Sequence, residues 1–518
     1  RQHRLIRAQS IVRIDGQLVS CYRFRHILFQ KYLYGSLDEV ERVHLHEQVG
    51  TALEGLYSVQ EQAAAIAVQL ALHFRKAAIT DKAIHYLHRA GQRAVQLSAY
   101  REAIAHLTRG LALLNDLPDP AGEDQRLGRA QQELALQLAL GPAWQAGKGY
   151  GPEMENACTR ARDLCQQTGE TSQLCQVLGK LWTLNYVQAK HQEARKLAEE
   201  ALTLAQCAGD PLHVALGHRY LGCILFCLGE YTTARAHLEH MIAFYDPHQH
   251  HGTLVALRGS DAGTSALAYH ACCLWSLGYP DQALKQSQEA LALARELGHP
   301  YSLAEVLFFA GCIFNRMRRD AQTLKGTSEE LARLSSEKVP TWSGAGILGR
   351  GEALAMLGQA QEAIAQIRAG MADLQSVGVR CYLSGRLGSL GEARARAGQA
   401  EEGLTTLAEA FAVVEETGER HWEAELYRVR GELLLAQGDD AEAEASFHRA
   451  VEVARRQQAR SWELRATTSL ARLWQKQGKR EEARRILAEI YGWFTEGFDT
   501  ADLIEAKTLL GELSRSVR

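Results

Sequence analysis

The chain has 518 residues, 46% of them hydrophobic and 23% charged, and 58 basic against 61 acidic side chains give a formal net charge of −3. This length is too great for one compact core, so several domains or an extended array is expected. The near-neutral charge argues against a general nucleic-acid-binding surface, which needs clustered positive charge. No apolar run is long enough to span a membrane and no signal peptide is visible, while 11 scattered cysteines without a C-x-x-C pair predict a reducing compartment.

The first sixty residues have a mixed pattern. Residues 14–19 read as a strand with a tight turn, residues 22–30 run into a helix, and residues 38–56 into another. The chain begins with Arg and its first residues look like the middle of a domain, which predicts a fragment of a longer protein. Residues 1–60 resemble the winged-helix region that follows the ATPase module in bacterial STAND-type ATPases. The resemblance implies that they are the winged-helix-like end of an upstream ATPase module.

Residues 61–164 are predicted to form irregular helical hairpins, in which Ala83 and Ala103 lie twenty residues apart as if consecutive helices shared faces. The segment GPAWQAGKGYG at 141–151 invites comparison with a phosphate-binding loop. However, Pro142 stands where that motif has its first Gly, and Gly149 follows Lys148 where Ser or Thr is needed. We therefore predict a Gly-rich link between helical blocks. No cofactor is expected in this chain, and ATP is expected only in the missing upstream module.

From residue 165 onwards, small residues recur every forty positions. The first position of this comb is occupied by Ala271, Gly311, Gly351, Gly391, Gly431 and Ala471. The position seven residues later holds Gly278, Arg318, Gly358, Gly398, Gly438 and Gly478, and the position twelve residues later holds Ala283, Thr323, Ala363, Gly403, Ala443 and Ala483. A small residue where two helices cross, a Gly that ends the first helix and an Ala on the second predict stacked antiparallel helix pairs.

The same spacing carries a family resemblance. The series Gly222, Gly229, Ala234, Met241 and the series Gly431, Gly438, Ala443, Ala450 resemble tetratricopeptide repeats in the longer form of bacterial regulator proteins. About eight repeats with a C-terminal cap are predicted over residues 165–518. The resemblance implies an all-α, tetratricopeptide-like, right-handed superhelical solenoid with a winged-helix-like remnant at its N-terminus. The segments LGYPDQAL (277–284), AGQAEEGL (397–404) and YGWFTEGFDTADL (491–503) look like large bacterial signalling proteins in which a class III adenylate/guanylate cyclase domain, or a DNA-binding activator domain, precedes an ATPase and this tail.

One repeat is longer than the others. Gly222 and Ala271 are 49 residues apart, and the extra residues near 245–264 predict an inserted loop. Asp246, His248, His250 and His251 cluster there, so the loop could hold zinc. Structural zinc sites usually take ligands from two elements at fixed spacing. A solvated polar loop is therefore the default, and metal binding stays open.

No G-x-S-x-G nucleophile elbow is present, and carboxylate pairs such as Glu401/Glu402 read as solvated charge. In tetratricopeptide arrays the first helix of each pair lines the groove. Carrying that register over implies groove residues Tyr186, Arg219, Phe226, Trp275, Phe308, Asn315, Arg316, Arg428 and Arg472. Aromatic rings beside arginines suit a peptide or an acidic segment. The alternative is that several of the rings are packed between repeats.

The resulting prediction is a non-catalytic protein-interaction or sensor region that regulates an upstream ATP-binding signalling module, in a protein of the adenylate/guanylate cyclase type. The alternative is the inducer-binding tail of a STAND-type transcriptional activator. The expected partner is a protein or peptide segment in the concave groove, including the parent's own upstream domains, with no direct nucleic acid and no membrane. A cytoplasmic location is expected. The ligand, the upstream domain and the oligomeric state stay open.

Overall fold

A computed structural model describes residues 5–14, 17–57, 66–169 and 171–515. The chain forms two compact units, one of residues 1–143 with 166–168 and one of residues 144–165 with 169–518. The second unit is called the solenoid below. The division at residues 60 and 164 stays a prediction.

The N-terminal unit begins with a β-hairpin. Strands β1 (Ile6–Ile14) and β2 (Gln17–Phe24) pair antiparallel, and the two residues of the predicted turn between them lie outside the described part of the chain. Helix α1 (Ile27–Ser36) follows, and then α2 (Glu39–Leu56). Asp38 accepts a hydrogen bond from the Glu41 backbone at 2.8 Å and donates its own N–H to the Glu41 carboxylate at 2.9 Å, so a capping box starts α2.

Three consecutive helices then pack against one another: α3 (Ala67–Lys76), α4 (Thr80–Gln96) and α5 (Tyr100–Asn115). Ala83 and Ala103 are both fully buried. The predicted link at 141–151 is wrong over most of its length, because α6 (Glu123–Gly147) continues through Pro142. The buried residues Leu140, Ala143 and Ala146 carry the apolar face past Pro142, and this packing outweighs the hydrogen bond that proline cannot make. Only residues 148–151 link α6 to α7 (Pro152–Thr168).

Between residues 171 and 491 the solenoid is a series of eight antiparallel helix pairs, closed by a last helix. The first helices of the pairs are α8 (Thr171–Val187), α10 (Pro211–Cys227), α13 (Ala262–Leu277), α15 (Pro300–Val306) with its continuation to Arg318, α18 (Ser343–Met356), α20 (Leu383–Arg396), α22 (Glu423–Ala436) and α24 (Arg460–Lys476). The second helices are α9 (His191–Ala208), α11 (Tyr231–Phe244), α14 (Pro280–Leu297), α17 (Ala321–Glu337), α19 (Ala360–Ser376), α21 (Ala400–Thr417), α23 (Asp440–Arg456) and α25 (Arg480–Tyr491). The last helix is α26 (Ala501–Ser514). The all-α fold of stacked pairs is confirmed.

The comb marks where the two helices of a pair cross. A Cβ added at Gly222, Gly311, Gly351, Gly391 or Gly431 would lie between 2.5 and 3.1 Å from the side chain sixteen residues further along, on the second helix. The glycines of the second comb position, from Gly229 to Gly478, have φ between 74° and 95°, which a residue with a Cβ adopts only at a cost. Both structural roles of the small residues are confirmed.

Two local predictions in the solenoid are wrong. In the fourth pair the left-handed residue is Arg319 (φ 63°) and not Arg318, because α15 passes into a π-helical turn (Leu307–Ile313) before α16 (Phe314–Arg318). A π-helical turn holds one extra residue, which delays the end of the helix. The inserted segment is not a loop but helix α12 (Pro247–Arg258), which Asp246 caps at its start and Gly259 (φ 86°) ends.

The first helices also meet loops that come about five repeats later. The Val187 carbonyl accepts hydrogen bonds from the Arg380 and Cys381 amides at 2.8 and 2.9 Å, and the Cys227 carbonyl accepts one from the Arg420 amide at 2.8 Å. Ser461 Oγ donates to the Trp275 carbonyl at 2.5 Å. The last carbonyls of a helix have no partner within it. Successive turns of the solenoid satisfy some of them here and are thereby in direct contact.

Candidate functional site

A cavity of about 70 Å³ lies among the first helices of the solenoid. Nine aromatic side chains line it: Tyr150, Trp182, Tyr186, Tyr269, Tyr301, Phe308, Phe309, Trp342 and Tyr382. We call it the aromatic cavity. The two phenylalanines come from the π-helical turn, and Tyr382 from the loop before α20.

Three tyrosine hydroxyls meet at one wall of the aromatic cavity. Tyr186 Oη lies 2.5 Å from Tyr269 Oη and 2.6 Å from Tyr382 Oη, and Tyr382 Oη lies 3.3 Å from Tyr269 Oη. Burial raises the pKa of each of the three tyrosines well above its ordinary value. All three hydroxyls are therefore neutral at physiological pH and each can donate one hydrogen bond.

Tyr382 adopts an unusual backbone conformation. Its φ is 62°, in the left-handed region that side chains with a Cβ rarely occupy. The fully buried Glu419 holds it there by accepting hydrogen bonds from the Tyr382 amide at 2.6 Å and from the Ser384 amide at 3.1 Å. This carboxylate also satisfies the first N–H groups of α20.

A buried ion cluster forms another part of the cavity wall. Glu305 lies 2.9 Å from Arg219 Nη2 and 2.8 Å from Arg258 Nη2. Burial alone would raise the pKa of Glu305. The charges of Arg258 and Arg219 outweigh burial and hold this pKa below its usual value. Glu305 is therefore ionised, and one negative charge is shared by two guanidinium groups.

A second cleft, of about 330 Å³, is formed by later first helices and by α26. Its charged lining residues are Arg316, Arg319, Glu392, Arg396, Glu425, Arg428, Glu432, Arg465, Arg472, Asp502 and Glu505. We call it the charged groove. Cationic and anionic side chains alternate across it, and Trp422 lies beneath Arg316 with the guanidinium carbon 4.0 Å from the ring centre.

The charges of the groove are paired with one another. Arg428 makes two bonds of 2.9 Å to Glu425 and one of 3.3 Å to Glu432. Burial alone would raise the pKa of Glu425. The charges of Arg428 and then Arg465 outweigh burial and lower this pKa to about 2. Arg472 pairs with Glu505, and its side chain is 45% exposed. A partner that binds in this groove must therefore break these ion pairs and replace them with ion pairs to its own side chains.

The predicted groove residues fall into three groups. Tyr186, Arg219 and Phe308 line the aromatic cavity, and Arg316, Arg428 and Arg472 line the charged groove. The remaining three, Phe226, Trp275 and Asn315, line neither.

These three side chains are buried within the solenoid. Phe226 packs against Tyr231, Tyr269 and His421, and Trp275 packs against Trp462 at 4.8 Å between ring centres. Asn315 donates to the Gly311 carbonyl at 2.6 Å. They support the wall behind the cavity and the groove.

The sequence argument missed Arg386, which lines the aromatic cavity and is 3% exposed. A signal for it was present. The position five residues before each comb position otherwise holds an apolar or small residue: Gly217, Ala266, Val306, Gly346, Leu426 and Ala466. Packing alone does not explain an arginine at a position that is buried in every other repeat, so this residue indicates a different role.

The inserted segment brings its histidines to different neighbours. His250 stacks on Phe244 with ring centres 4.5 Å apart, and His251 Nδ1 lies 2.8 Å from Asp261. Among the described residues no group of three His, Cys, Asp or Glu side chains is placed to hold a metal ion. In the same part of the chain, no helix combines the length and apolar character that crossing a membrane requires.

Comparison with known proteins identifies part of this architecture. The tetratricopeptide repeat family model matches residues 386–456, so the chain contains a tetratricopeptide-repeat region there. An uncharacterised protein of Rhizobium meliloti (strain 1021) is 26% identical over 380 residues, which are 71% of this chain and 35% of that protein. The chain thus matches about a third of the length of this relative.

Two solved structures are similar in part. A Rap protein complexed with competence and sporulation factor is 12% identical, with a TM-score of 0.39 over 83% of this chain and 99% of that one. A tetratricopeptide repeat protein from Parabacteroides merdae is 15% identical, with a TM-score of 0.30 over 55% of this chain and 97% of that one.

Proposed function

We propose that this chain is a non-catalytic interaction and sensor region that regulates an upstream ATP-binding signalling module, in a cytoplasmic protein of the adenylate/guanylate cyclase type. The observation that carries the proposal is the charged groove. Tetratricopeptide repeats support a role in protein binding, and the charged groove is a polar cleft lined by first helices of this array and by α26. The region also matches only 35% of its relative, so a similar segment occurs within a larger protein.

The groove favours an extended protein segment that carries both signs of charge. Its lining residues alternate in sign, so a complementary segment satisfies them in register and a segment of one sign does not. The half-exposed pair of Arg472 and Glu505 is the easiest to open, because solvent already screens it. Binding there is expected to weaken as salt concentration rises.

The test is to immobilise this chain and to titrate the region that precedes it in the same polypeptide. Arg472→Glu should weaken binding at least about tenfold, because it removes a cation from the groove and places a second carboxylate beside Glu505. The matched control is Arg484→Glu on a second helix, since Arg484 is also 45% exposed and also pairs with one glutamate, Glu481. Equal binding by the two variants would show that the charged groove takes no part in the interaction.

A second candidate function is the inducer-binding tail of a STAND-type transcriptional activator. The aromatic cavity favours it, because a site of this size suits a small molecule better than a peptide. A bound inducer would act by its different affinity for two states of the parent protein.

A further inference from the structure

Arg386 is a buried cation without a partner. Its side chain is 3% exposed and lines the aromatic cavity. In the part of the chain that the structure describes, its guanidinium makes no hydrogen bond and no ion pair, and Nε is fully enclosed without an acceptor. A buried charge without compensation costs several kcal/mol, so folded proteins keep one only where something offsets it.

The charge around the cavity is unbalanced. The described lining contains three arginines, Arg219, Arg258 and Arg386, against the single carboxylate of Glu305. A further buried cation, Lys180, lies in an adjoining pocket that shares Arg258, and it donates to the Leu257 carbonyl at 3.2 Å. Among the described lining residues of the cavity itself, cations therefore outnumber carboxylates, while the buried carboxylate of Glu352 lines another adjoining pocket that shares Arg386 and pairs with Arg316 at 3.2 Å.

The unsatisfied polar atoms of the cavity are donors. Among the described lining residues, the enclosed side-chain atoms without a partner are Trp182 Nε1, Arg219 Nη1, Arg258 Nε, Thr341 Oγ1, Trp342 Nε1 and Arg386 Nε. Five of these six are N–H groups, and the sixth is a hydroxyl that can also donate. The protein around the cavity is therefore rich in N–H donors and poor in acceptors, which suits a ligand with acceptor oxygens and negative charge.

The rest of the wall is apolar, and its backbone is irregular where the rings enter. Phe308 and Phe309 project from a π-helical turn, a feature that occurs often at functional sites. The backbone of Tyr382 itself is in the left-handed region. The volume of about 70 Å³ is several times the ~10–15 Å³ that one water needs. A carboxylate or phosphate group with a short or planar apolar body fits this space.

We propose that the aromatic cavity is a binding site for a small oxyanion, a carboxylate or a phosphate, that pairs with Arg386 and lies against the aromatic rings. This assignment names the ligand class of the second candidate function and rests on that candidate. It does not depend on the charged groove. A negative result in the Arg472 experiment therefore leaves this proposal intact, and a negative result in the experiment below leaves the groove proposal intact.

The test is isothermal titration calorimetry on the whole chain, dialysed into a chloride buffer and held at constant ionic strength. The probes are sodium benzoate and sodium phosphate, with benzamide as the neutral analogue of benzoate. Benzoate or phosphate should bind and benzamide should not, and the anion that binds shows whether the site prefers a carboxylate or a phosphoryl group. Binding of neither anion, or equal binding of benzamide and benzoate, overturns the proposal.

Arg386→Met should weaken the anion about 10- to 100-fold, the usual worth of a hydrogen-bonded charge pair. The control is Arg350→Met, which removes an exposed arginine that pairs with Glu362 outside the cavity, and it should bind as the wild type does. Without anion, Arg386→Met should melt no lower than the wild type, because an uncompensated charge has been removed. A lower melting temperature would mean that protein groups already stabilise the charge, and it would contradict the proposal.

Discussion

Replacing Gly431 by alanine tests whether the small residues of the comb are needed because two helices nearly touch. The added Cβ would lie 2.5, 2.7 and 2.8 Å from Cε1, Cδ1 and Cζ of Phe447 on the partner helix. Carbon atoms normally pack at about 3.5–4.0 Å, so the ring must move by roughly 1 Å. Phe447 is fully buried against Leu470 and Leu473, and it has nowhere to go without moving the helix.

The expected magnitude follows from two opposing terms. Overpacking of this kind costs about 1–3 kcal/mol, and alanine regains about 1 kcal/mol through its higher helix propensity. Gly431→Ala should therefore lower the free energy of unfolding by up to about 2 kcal/mol. Gly326→Ala is the matched control, because Gly326 is an exposed residue within α17 and its added Cβ would meet nothing within 4 Å. That control should gain about 0.5–1 kcal/mol.

Urea unfolding followed by circular dichroism measures both variants. The difference between them isolates the steric term, since the propensity term is common to both. Gly431→Ala combined with Phe447→Leu should be less destabilised than the two single changes added together, because a smaller side chain makes room for the Cβ. If Gly431→Ala and Gly326→Ala have the same stability, the close approach of the two helices is refuted.

Three further outcomes are expected. Glu305→Gln should destabilise the chain by about 3–5 kcal/mol, because it leaves Arg219 and Arg258 buried without a counter-charge; a loss below 1 kcal/mol in urea unfolding would mean that solvent reaches the cluster. Burial lowers the pKa of His421 to about 4, below its unfolded value of about 6.5, so the folded state binds fewer protons and stability falls as the pH drops below 6.5. Between pH 7 and pH 5 this loss is about 2 kcal/mol, and it should be absent in His421→Phe, whereas an unchanged pH slope would show that His421 is not the group responsible. The purified chain should neither hydrolyse ATP nor form a cyclic nucleotide, and turnover that co-purifies with the chain through every step would contradict the proposed non-catalytic role.

Much of the solenoid could be predicted because its signals are local. The spacing from Gly431 to Gly438 reports a helix crossing and a helix end within one repeat, and both depend on residues that are close in sequence. In the fourth pair the left-handed residue is Arg319 and not Arg318, because a π-helical turn shifts the register by one residue, and no composition signal marks that turn. The helix at Pro247–Arg258 was missed because its histidines and Gly252 resemble loop residues, although Asp246 and Pro247 together form a good helix start.

The sequence by itself determined that helices pair and where most first helices end, since steric fit between neighbouring helices depends only on side chains a few turns apart. The tertiary structure alone decided that Val187 meets Arg380 and that Tyr186 meets Tyr382. Those meetings depend on the rotation between one pair and the next, summed over about five repeats. Small angular differences accumulate over that distance, and no single residue encodes their total.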